Sequence, residues 1–224
     1  MKNIILIAPP AAGKGTQSKL IVSKYNIPHI STGDLLREIS KEDSEVGNYV
    51  RETISSGNLV KDEITYQLIE QRIRQDDCKN GFIMDGFPRN VDQAIKYDEI
   101  LEKLNYKIGN VVLIEIDKEI LEKRITGRRI CKKCGSIYNI NFEKQKPKVE
   151  SICDKCGSSL YQRDDDNVSS FNTRYDLYEE KTKPLIDYYS SLSVLHKVDG
   201  NGSINKIFKK IEKIITGDEK RWLQ

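Results

Sequence analysis

The apolar run Asn3–Ala8 leads into a loop that ends Gly13-Lys14-Gly15-Thr16, and this junction constrains the fold more than any other feature. A continuous apolar run with β-branched residues predicts a strand buried on both faces of a parallel sheet. Apolar residues after the loop follow helical spacing. Backbone N–H groups at the helix N-terminus and the charge of Lys14 would then face one point, which predicts a polyphosphate site.

The loop departs from the strict phosphate-loop pattern at two positions. That pattern, G-x-x-x-x-G-K-[ST], requires glycine at position 8 and serine or threonine at position 15, whereas this chain has Ala8 and Gly15. A glycine-containing turn without a ligand therefore stays an alternative on this motif alone.

Short apolar runs alternate with helical segments through the rest of the chain. The strand-like runs are 82–84, 111–116 and 194–198, and the helical segments include 63–74 and 92–104. This alternation is typical of a doubly wound parallel α/β sheet. A chain of 224 residues fits one main domain with inserted pieces better than two independent halves.

Two segments do not follow the alternation. Residues 31–60 are mostly helical and are expected to form an insertion between core strands. Cys131–Tyr161 carries glycine, proline and short alternating stretches, which predicts a small β-rich unit. A unit of about 30 residues cannot bury enough apolar surface to be stable alone, so it needs a covalent or metal cross-link.

Four cysteines supply such a cross-link. Cys131 and Cys134 form one Cys-x-x-Cys pair, and Cys153 and Cys156 form a second. This spacing predicts a tetrahedral structural zinc site, since a complete set of four ligands leaves no position for a catalytic water. Two disulfides are the alternative, which a reducing compartment disfavours. Cys78 lies outside this set and is expected to be buried and unreactive.

A second polar motif follows the run 82–84, at the end of a strand where open α/β sheets place their ligands. Its residues are Asp85-Gly86-Phe87-Pro88-Arg89. Asp85 could hold magnesium through water, and Arg89 could clamp a phosphate with two parallel hydrogen bonds. A turn with a surface arginine is the alternative.

Together these motifs resemble the adenylate kinases of the long, zinc-bearing form over nearly the whole chain. The matching pieces are Gly13-Lys14-Gly15-Thr16, Ser31-Thr32-Gly33-Asp34-Leu35-Leu36-Arg37, Gly57-Asn58-Leu59-Val60, Asp85-Gly86-Phe87-Pro88-Arg89, Gly127-Arg128-Arg129, the two cysteine pairs and Gln162-Arg163-x-Asp165-Asp166. The resemblance implies a five-stranded, doubly wound parallel sheet of the P-loop nucleoside monophosphate kinase type. It also implies a core of residues 1–30, 61–126 and 166–224, an α-helical AMP-binding insertion at 31–60 and a zinc-binding lid at 127–165.

The same resemblance implies the residues that hold each nucleotide. ATP would be held by Ala11, Ala12, Gly13, Lys14, Gly15, Thr16, Arg124, Arg128, Ile137, Tyr138 and Gly202. AMP would be held by Thr32, Arg37, Asn58, Leu59, Val60, Gly86, Phe87, Pro88, Arg89, Gln93, Arg163 and Arg174. The catalytic group would be Lys14, Asp85, Arg89, Arg128, Arg163 and Arg174. Magnesium with ATP and a structural zinc ion are the implied cofactors.

In this family Gly15 followed by Thr16 is the normal form, whereas Ala8 and Ala11 replace glycines of the usual loop. If either position requires a positive φ, alanine there costs on the order of 1–2 kcal/mol. Arg124 and Arg128 are four residues apart and are expected on one helix face. Asp165 and Asp166 could orient the arginines beside them.

Other polar residues have simpler interpretations. The stretch Ser31-Thr32-Gly33-Asp34 is also typical of an ordinary helix N-cap. Both histidines, His29 and His196, are expected to be structural, because phosphoryl transfer does not demand a general base. Arg129 could equally belong to a solvated face.

Three functions follow from these observations. The first is reversible phosphoryl transfer from Mg-ATP to AMP, giving two ADP. The second is the same chemistry with another nucleoside monophosphate or with GTP as donor. The third is a non-catalytic nucleotide-binding regulator with a zinc ribbon, which the two loop alanines alone favour.

The remaining expectations concern partners and location. A net charge of +3 disfavours a nucleic-acid binder that works by bulk charge. A zinc ribbon that binds nucleic acid is the rival use of the small unit, supported by Lys132, Lys133, Lys144, Lys146 and Lys148. The first apolar run is too short for a signal peptide, and no run approaches a membrane span. We expect a cytoplasmic monomer that binds ATP, AMP and ADP, and neither nucleic acid nor membrane; the tail 218–224 could dock through Trp222.

Overall fold

A computed structural model describes residues 3–217. The predicted docking of Trp222 lies outside the described residues. The strands and helices are, in chain order, β1 (Ile4–Ile7), α1 (Lys14–Tyr25), β2 (His29–Ser31), α2 (Thr32–Ile39), α3 (Glu45–Ser55), α4 (Asp62–Ile73), β3 (Ile83–Asp85), α5 (Val91–Lys103), β4 (Asn110–Glu115), α6 (Lys118–Thr126), β5 (Arg128–Cys131), β6 (Ile137–Asn139), β7 (Leu160–Tyr161), α7 (Val168–Leu177), α8 (Leu185–Ser191), β8 (Leu195–Asp199) and α9 (Ile204–Thr216). A π-turn, Tyr178–Thr182, joins α7 to α8.

The predicted doubly wound α/β fold is confirmed. Five parallel strands lie in the order β2-β3-β1-β4-β8. Each apolar run predicted as a strand becomes one, with bounds that shift by a residue or two. The short strand β2 completes the sheet at one edge.

The central strands β1 and β4 are buried on both faces of the sheet because they are apolar at successive positions. Along β1, Ile4 and Leu6 pack into a cluster with residues of α1 and α9. Ile5 and Ile7 pack into the opposite cluster, with residues of α4, α5 and α8. Full burial of one such side chain stabilises a fold by about 1.5–3 kcal/mol, so the two clusters hold the phosphate loop on a rigid base.

Two units leave this core. The insertion comprises α2, α3 and the chain up to α4, and it has a small cluster of its own around Leu36, Val50 and Val60. The lid contains an antiparallel sheet of order β6-β5-β7. Its buried cluster consists of Cys131, Tyr138, Cys153 and Leu160.

The prediction that Arg124 and Arg128 share a helix face is wrong. Helix α6 ends at Thr126, and Arg128 begins β5. The chain turns at Gly127, whose N–H donates to the carbonyl of Lys123 at 3.2 Å. A side chain at Gly127 would clash, because a Cβ there would lie 2.3 Å from Oδ1 of Asn139.

Candidate active site

A cavity of about 500 Å³ lies at the carboxyl ends of β1 and β3, between the core, the insertion and the lid. The phosphate loop forms its floor, and lid residues of β5 and β6 line another side. The cavity brings together every residue predicted to hold ATP: Ala11, Ala12, Gly13, Lys14, Gly15, Thr16, Arg124, Arg128, Ile137, Tyr138 and Gly202.

The loop adopts left-handed backbone conformations at two positions, Gly13 with φ 91° and Ala11 with φ 63°. Ala11 therefore bears a strain of about 1–2 kcal/mol that glycine would avoid. The methyl group of Ala11 also packs against the core, which offsets part of that strain. Ala8, by contrast, is not among the residues with positive φ, and its methyl group is buried in the same cluster.

Lys14 is the buried cation of the loop. Its Nζ donates to the carbonyl of Ala8 at 2.9 Å. Burial lowers the pKa of Lys14 to about 8; the nearby Asp85 opposes this shift, and the charges of Arg89, Arg174 and Arg128 add to it. Those four cations are thus close enough to repel one another, and an anion placed among them would relieve that repulsion.

Asp85, at the end of β3, faces the same cavity. His29 Nε2 lies 3.1 Å from Oδ2 of Asp85. Burial alone would raise the pKa of Asp85, but the hydrogen bond from His29 and the charges of Lys14 and Arg89 together hold it below its usual value. Asp85 is therefore an anion suited to a hydrated magnesium ion.

A smaller cavity of about 60 Å³ adjoins the first on the side of the insertion. Thr32, Asn58, Leu59, Val60, Phe87 and Gln93 line it. Arg37, Arg89 and Arg174 line both cavities. Two ligands seated in these cavities would meet at the shared arginines.

The turn after β3 needs glycine. Gly86 has φ 82°, and a Cβ there would lie 2.7 Å from Oγ1 of Thr32. That hydroxyl donates to the carbonyl of Asp85 at 3.3 Å. Ser31, not Thr32, caps α2, since its Oγ accepts from the N–H of Asp34 at 3.2 Å.

Gln93 and Arg89 hold one another in place. Asn90 caps α5 by accepting from the N–H of Gln93 at 2.7 Å. The side chain of Gln93 accepts from the N–H of Arg89 at 2.7 Å and donates to Oδ1 of Asp62 at 2.6 Å. The guanidinium of Arg89 donates to the carbonyl of Gly86 at 2.8 Å. Sequence reasoning missed Asp62 as the partner of Gln93, because the two residues are 31 positions apart.

Two adjacent aspartates order the remaining arginines. Asp166 accepts two hydrogen bonds from Arg128, one of them from Nε at 2.7 Å. Asp165 accepts from Arg174 at 2.9 Å and lies 3.4 Å from Arg37. Burial lowers the pKa of Arg174 to about 10. In Arg128 burial also acts to lower the pKa, but the hydrogen bonds and charge of Asp166 raise it overall.

Contacts also join the lid to its neighbours. Arg163 of the lid lies 3.4 Å from Oδ1 of Asp34 on α2. Lys19 of α1 donates to the carbonyl of Gly135 in the lid. Sequence reasoning missed Lys19, because a lysine on the second turn of a helix looks like an ordinary exposed residue.

The four lid cysteines form one cluster, in which all Sγ atoms lie within 4.8 Å of one another. Cys131 and Cys156 are 3.4 Å apart at Sγ, and Cys134 and Cys153 are 3.6 Å apart. Four thiolates at Zn–S distances of about 2.3 Å would have sulfur atoms about 3.8 Å apart, so this donor set fits a tetrahedral metal ion. The cluster is a candidate metal site, and among the described cysteines none forms a disulfide.

Tyr138 is oriented toward this cluster. Its hydroxyl lies 3.4 Å from Sγ of Cys153 and accepts from the N–H of Asp154 at 2.8 Å. The hydrogen bond from the Tyr138 hydroxyl, together with the backbone N–H groups of Lys155 and Cys156, lowers the pKa of Cys153 to about 6, which favours the thiolate. The hydroxyl of Tyr138 therefore faces the cysteine cluster, while Tyr138 and the half-exposed Ile137 both line the large cavity.

Cys78, outside the cluster, is fully buried, and burial raises its pKa to about 11. It matches the predicted unreactive thiol. Of the residues predicted for catalysis or nucleotide binding, each lines one of the two cavities. The individual roles of these residues stay predictions.

The parallel sheet, the phosphate loop at its centre and a cleft that gathers arginines define a nucleotide-binding phosphotransferase. The family model for adenylate kinase matches residues 6–194 of this chain.

Three adenylate kinases illustrate the similarity. That of Caldanaerobacter subterraneus subsp. tengcongensis is 45% identical over 217 residues, which is 97% of each chain. That of Fervidobacterium nodosum is 46% identical over 219 residues, 98% of this chain and 100% of the relative. That of Clostridioides difficile is 50% identical over 208 residues, 93% of this chain and 95% of the relative.

The chain belongs to the adenylate kinase family. The resemblance drawn from the motifs is thus confirmed, and the protein is an enzyme of the nucleoside monophosphate kinase type. The family reaction is phosphoryl transfer between ATP and AMP, and the comparisons do not favour another nucleotide pair or a non-catalytic regulator. Within residues 3–217, no helix has the length and apolar character needed to cross a membrane.

Proposed function

We propose that this chain transfers the γ-phosphoryl group of Mg-ATP to AMP, reversibly, with the cations around the large cavity as its catalytic machinery. One observation carries the proposal: Lys14, Arg89, Arg128 and Arg174 all line the large cavity, and the three arginines lie close enough to Lys14 to add to the lowering of its pKa by burial. Phosphoryl transfer passes through a loose transition state, which is stabilised mainly by positioning and positive charge.

On the ATP side, the amides of the loop and Lys14 bind the β- and γ-phosphates. The N-terminus of α1 adds its positive dipole end. Arg124, Ile137 and Gly202 bound the donor nucleotide, and β6 of the lid covers its base. The lining of the large cavity supports this assignment.

On the AMP side, the insertion covers the monophosphate. Arg37 and Arg89 bind its phosphate, and Thr32, the segment 58–60 and residues 86–88 surround the nucleoside. Gln93 reads the adenine edge, for which it exchanges its present contact with Asp62. The lining of the smaller cavity supports this side.

In the transfer step, an oxygen of the AMP phosphate attacks the γ-phosphorus of ATP. The bond from that phosphorus to the β–γ bridging oxygen breaks, and the departing ADP keeps the electron pair. Arg128, Arg163 and Arg174 stabilise the charge on the migrating group. No proton moves in the step, so no general base is required.

Magnesium, when bound with ATP, would neutralise phosphate charge. Asp85 is the residue of this chain that would hold its water molecules. The buried, ionised carboxylate at the cavity wall supports that role.

We assign zinc to the four-cysteine cluster. Thiolates at the spacing seen here suit zinc, and a set of four leaves no open coordination position. The ion would replace the hydrophobic core that this unit lacks, so its function is structural.

The insertion (31–60) and the lid (127–165) close over the nucleotides and exclude water, which would otherwise accept the phosphoryl group. Their contacts with one another and with α1 support this division of the chain. The protein acts as a cytoplasmic monomer without nucleic-acid or membrane partners. A reducing compartment, which keeps four cysteines available for a metal, supports that location.

A coupled assay of metal-loaded protein tests the reaction. ADP should form from ATP plus AMP, faster than from any other monophosphate or from GTP plus AMP at equal concentrations. Folded, metal-loaded protein that makes no ADP from ATP plus AMP would overturn the proposal. A crystal structure with a bisubstrate nucleotide analogue would test each residue assignment.

A further inference from the structure

His29 is the first residue of the edge strand β2. In the parallel register of β2 and β3, His29 pairs with Ile83 and Ser31 pairs with Asp85. The imidazole reaches along the strand to Asp85, with Nε2 and Oδ2 3.1 Å apart. The side chains are only 19% and 11% exposed, and both residues line the large cavity.

The chemistry of the pair fixes the direction of its hydrogen bond. An ionised carboxylate can only accept hydrogen bonds, so Nε2–H of His29 donates to Asp85. This bond occupies one carboxylate oxygen and sets the plane of the group. A second tether acts on the main chain, where Thr32 donates to the carbonyl of Asp85.

Other candidates for the same task are engaged elsewhere. Lys14 donates to the carbonyl of Ala8, and Arg89 donates to the carbonyl of Gly86. Both act on Asp85 through their charge. A charge at a distance does not select an orientation of the carboxylate, whereas a hydrogen bond does.

We propose that His29 is a positioning residue for Asp85: its imidazole holds the carboxylate in the orientation that receives the water shell of the nucleotide-bound magnesium ion. The inference rests on the proposed role of Asp85. Partners that orient a metal-binding group typically account for a 10–100-fold effect on metal affinity or activity.

The test compares two substitutions of His29. His29→Leu removes the donor, whereas His29→Gln keeps an N–H donor of similar reach. We expect His29→Leu to weaken Mg²⁺ binding to the enzyme–ATP complex by about tenfold or more, measured by calorimetric titration without AMP. It should lower kcat to a similar extent, and leave ATP binding in the presence of a magnesium chelator within about twofold. His29→Gln should recover most of both losses.

A structural role alone predicts a different pattern. His29→Leu would then lower the melting temperature without a selective effect on Mg²⁺ binding, and this result would overturn the proposal. His196→Gln, on β8, is the matched control, since His196 is absent from the cavity lining, and it should bind Mg²⁺ normally. If His29→Leu does not fold, His29→Thr replaces it, because threonine suits a strand and is too short to reach Asp85.

A double-mutant cycle separates this inference from the role of Asp85. Asp85→Asn should impair Mg²⁺ binding, and His29→Leu should add little in the Asp85→Asn background. Normal Mg²⁺ binding by Asp85→Asn would overturn the proposed function of Asp85. A defective Asp85→Asn variant with a normal or fully additive His29→Leu variant would overturn the role of His29 alone.

Discussion

The sheet and the lid contain strands of similar length, yet they are held together by different means. All four residues of β1 are buried, and they contribute to two large apolar clusters on opposite faces of the sheet. The buried cluster of the lid has four residues, two of which are cysteines. The sheet thus has apolar burial on both sides of β1, whereas we propose that the lid depends on a metal cross-link. If so, one chain combines a rigid binding site with a cover that melts separately.

Metal removal should have the largest effect, because it should destabilise the lid and not the sheet. Structural zinc contributes about 10–16 kcal/mol to the folding of small zinc modules, so its loss should unfold the lid and leave the sheet folded. Hydrogen exchange would then become fast across 131–161 and stay slow in β1 and β4. Cys156→Ser should lose the metal in a colorimetric zinc assay, and Cys78→Ala should keep it. Unfolding of lid and sheet together would contradict this prediction.

Removal of the positive charge of Lys14 should strongly slow phosphoryl transfer without affecting the stability of the lid. We expect Lys14→Met to lower kcat by about 10²–10³-fold, because a preorganised charge at the reacting phosphates is lost. Steady-state assays measure the effect, and the zinc content should not change. Lys41→Met is the control, since Lys41 is exposed and, within residues 3–217, forms an ion pair only with Glu38. A Lys14→Met enzyme of near-normal rate would refute the assignment.

One apolar truncation in each region compares their packing directly. Ile5→Ala in β1 should lower the free energy of unfolding by about 2–5 kcal/mol, because it leaves a cavity in a buried cluster. Ile152→Ala in the lid should change it by less than about 0.5 kcal/mol, since Ile152 is 39% exposed. Urea denaturation measures both. Equal losses would show that the lid has an apolar core after all.

The pH dependence of ATP binding follows from the buried position of Lys14. Its pKa of about 8 means that the cation is present below pH 8 and is lost as the pH rises. ATP affinity should therefore weaken by up to about tenfold between pH 7 and 9, as measured by calorimetry. Lys14→Arg should remove this dependence, because guanidinium stays charged. A dependence that persists in the arginine variant would assign it to another group.

The smallest effect is expected from the loop alanines, and its sign should differ between them. Ala11→Gly relieves a left-handed conformation but makes the unfolded chain more flexible, so we expect a gain of up to about 1 kcal/mol. Ala8→Gly relieves no such strain and should cost about 0.5–1 kcal/mol. Thermal unfolding measures both changes. Losses of equal size would show that the strain at Ala11 is compensated by packing.

Much of the fold could be predicted because buried strands require runs of apolar residues, which are visible in the sequence. The continuous apolar runs that became β1 and β4 admit few other structures, and the cysteine spacing predicted the position of the small β-rich unit. The end of α6 could not be predicted in this way. It depends on Gly127 meeting Asn139, a contact between residues that the sequence does not link.

The candidate site shows the same division between local and distant information. Loop and turn motifs predicted the residues that line the two cavities, since these residues lie in short stretches of sequence. His29 was predicted to be structural because phosphoryl transfer demands no general base. Its contact with Asp85 could not be predicted, since Asp85 lies 56 residues away, on a strand whose pairing with β2 the sequence does not specify. The contact of the Tyr138 hydroxyl with Cys153 was not predicted, because it joins residues 15 positions apart; that Tyr138 covers a base stays a prediction.

The geometry of the site depends on the number of residues in the π-turn Tyr178–Thr182. This wide turn follows the helix that carries Arg174, and its last residue, Thr182, donates to the carbonyl of Arg89 at 2.8 Å. Deleting one residue to restore a regular helix would rotate everything after it by about 100°. Shortening this segment for stability would therefore disturb the hydrogen bond that anchors Arg89, the arginine proposed to bind the AMP phosphate.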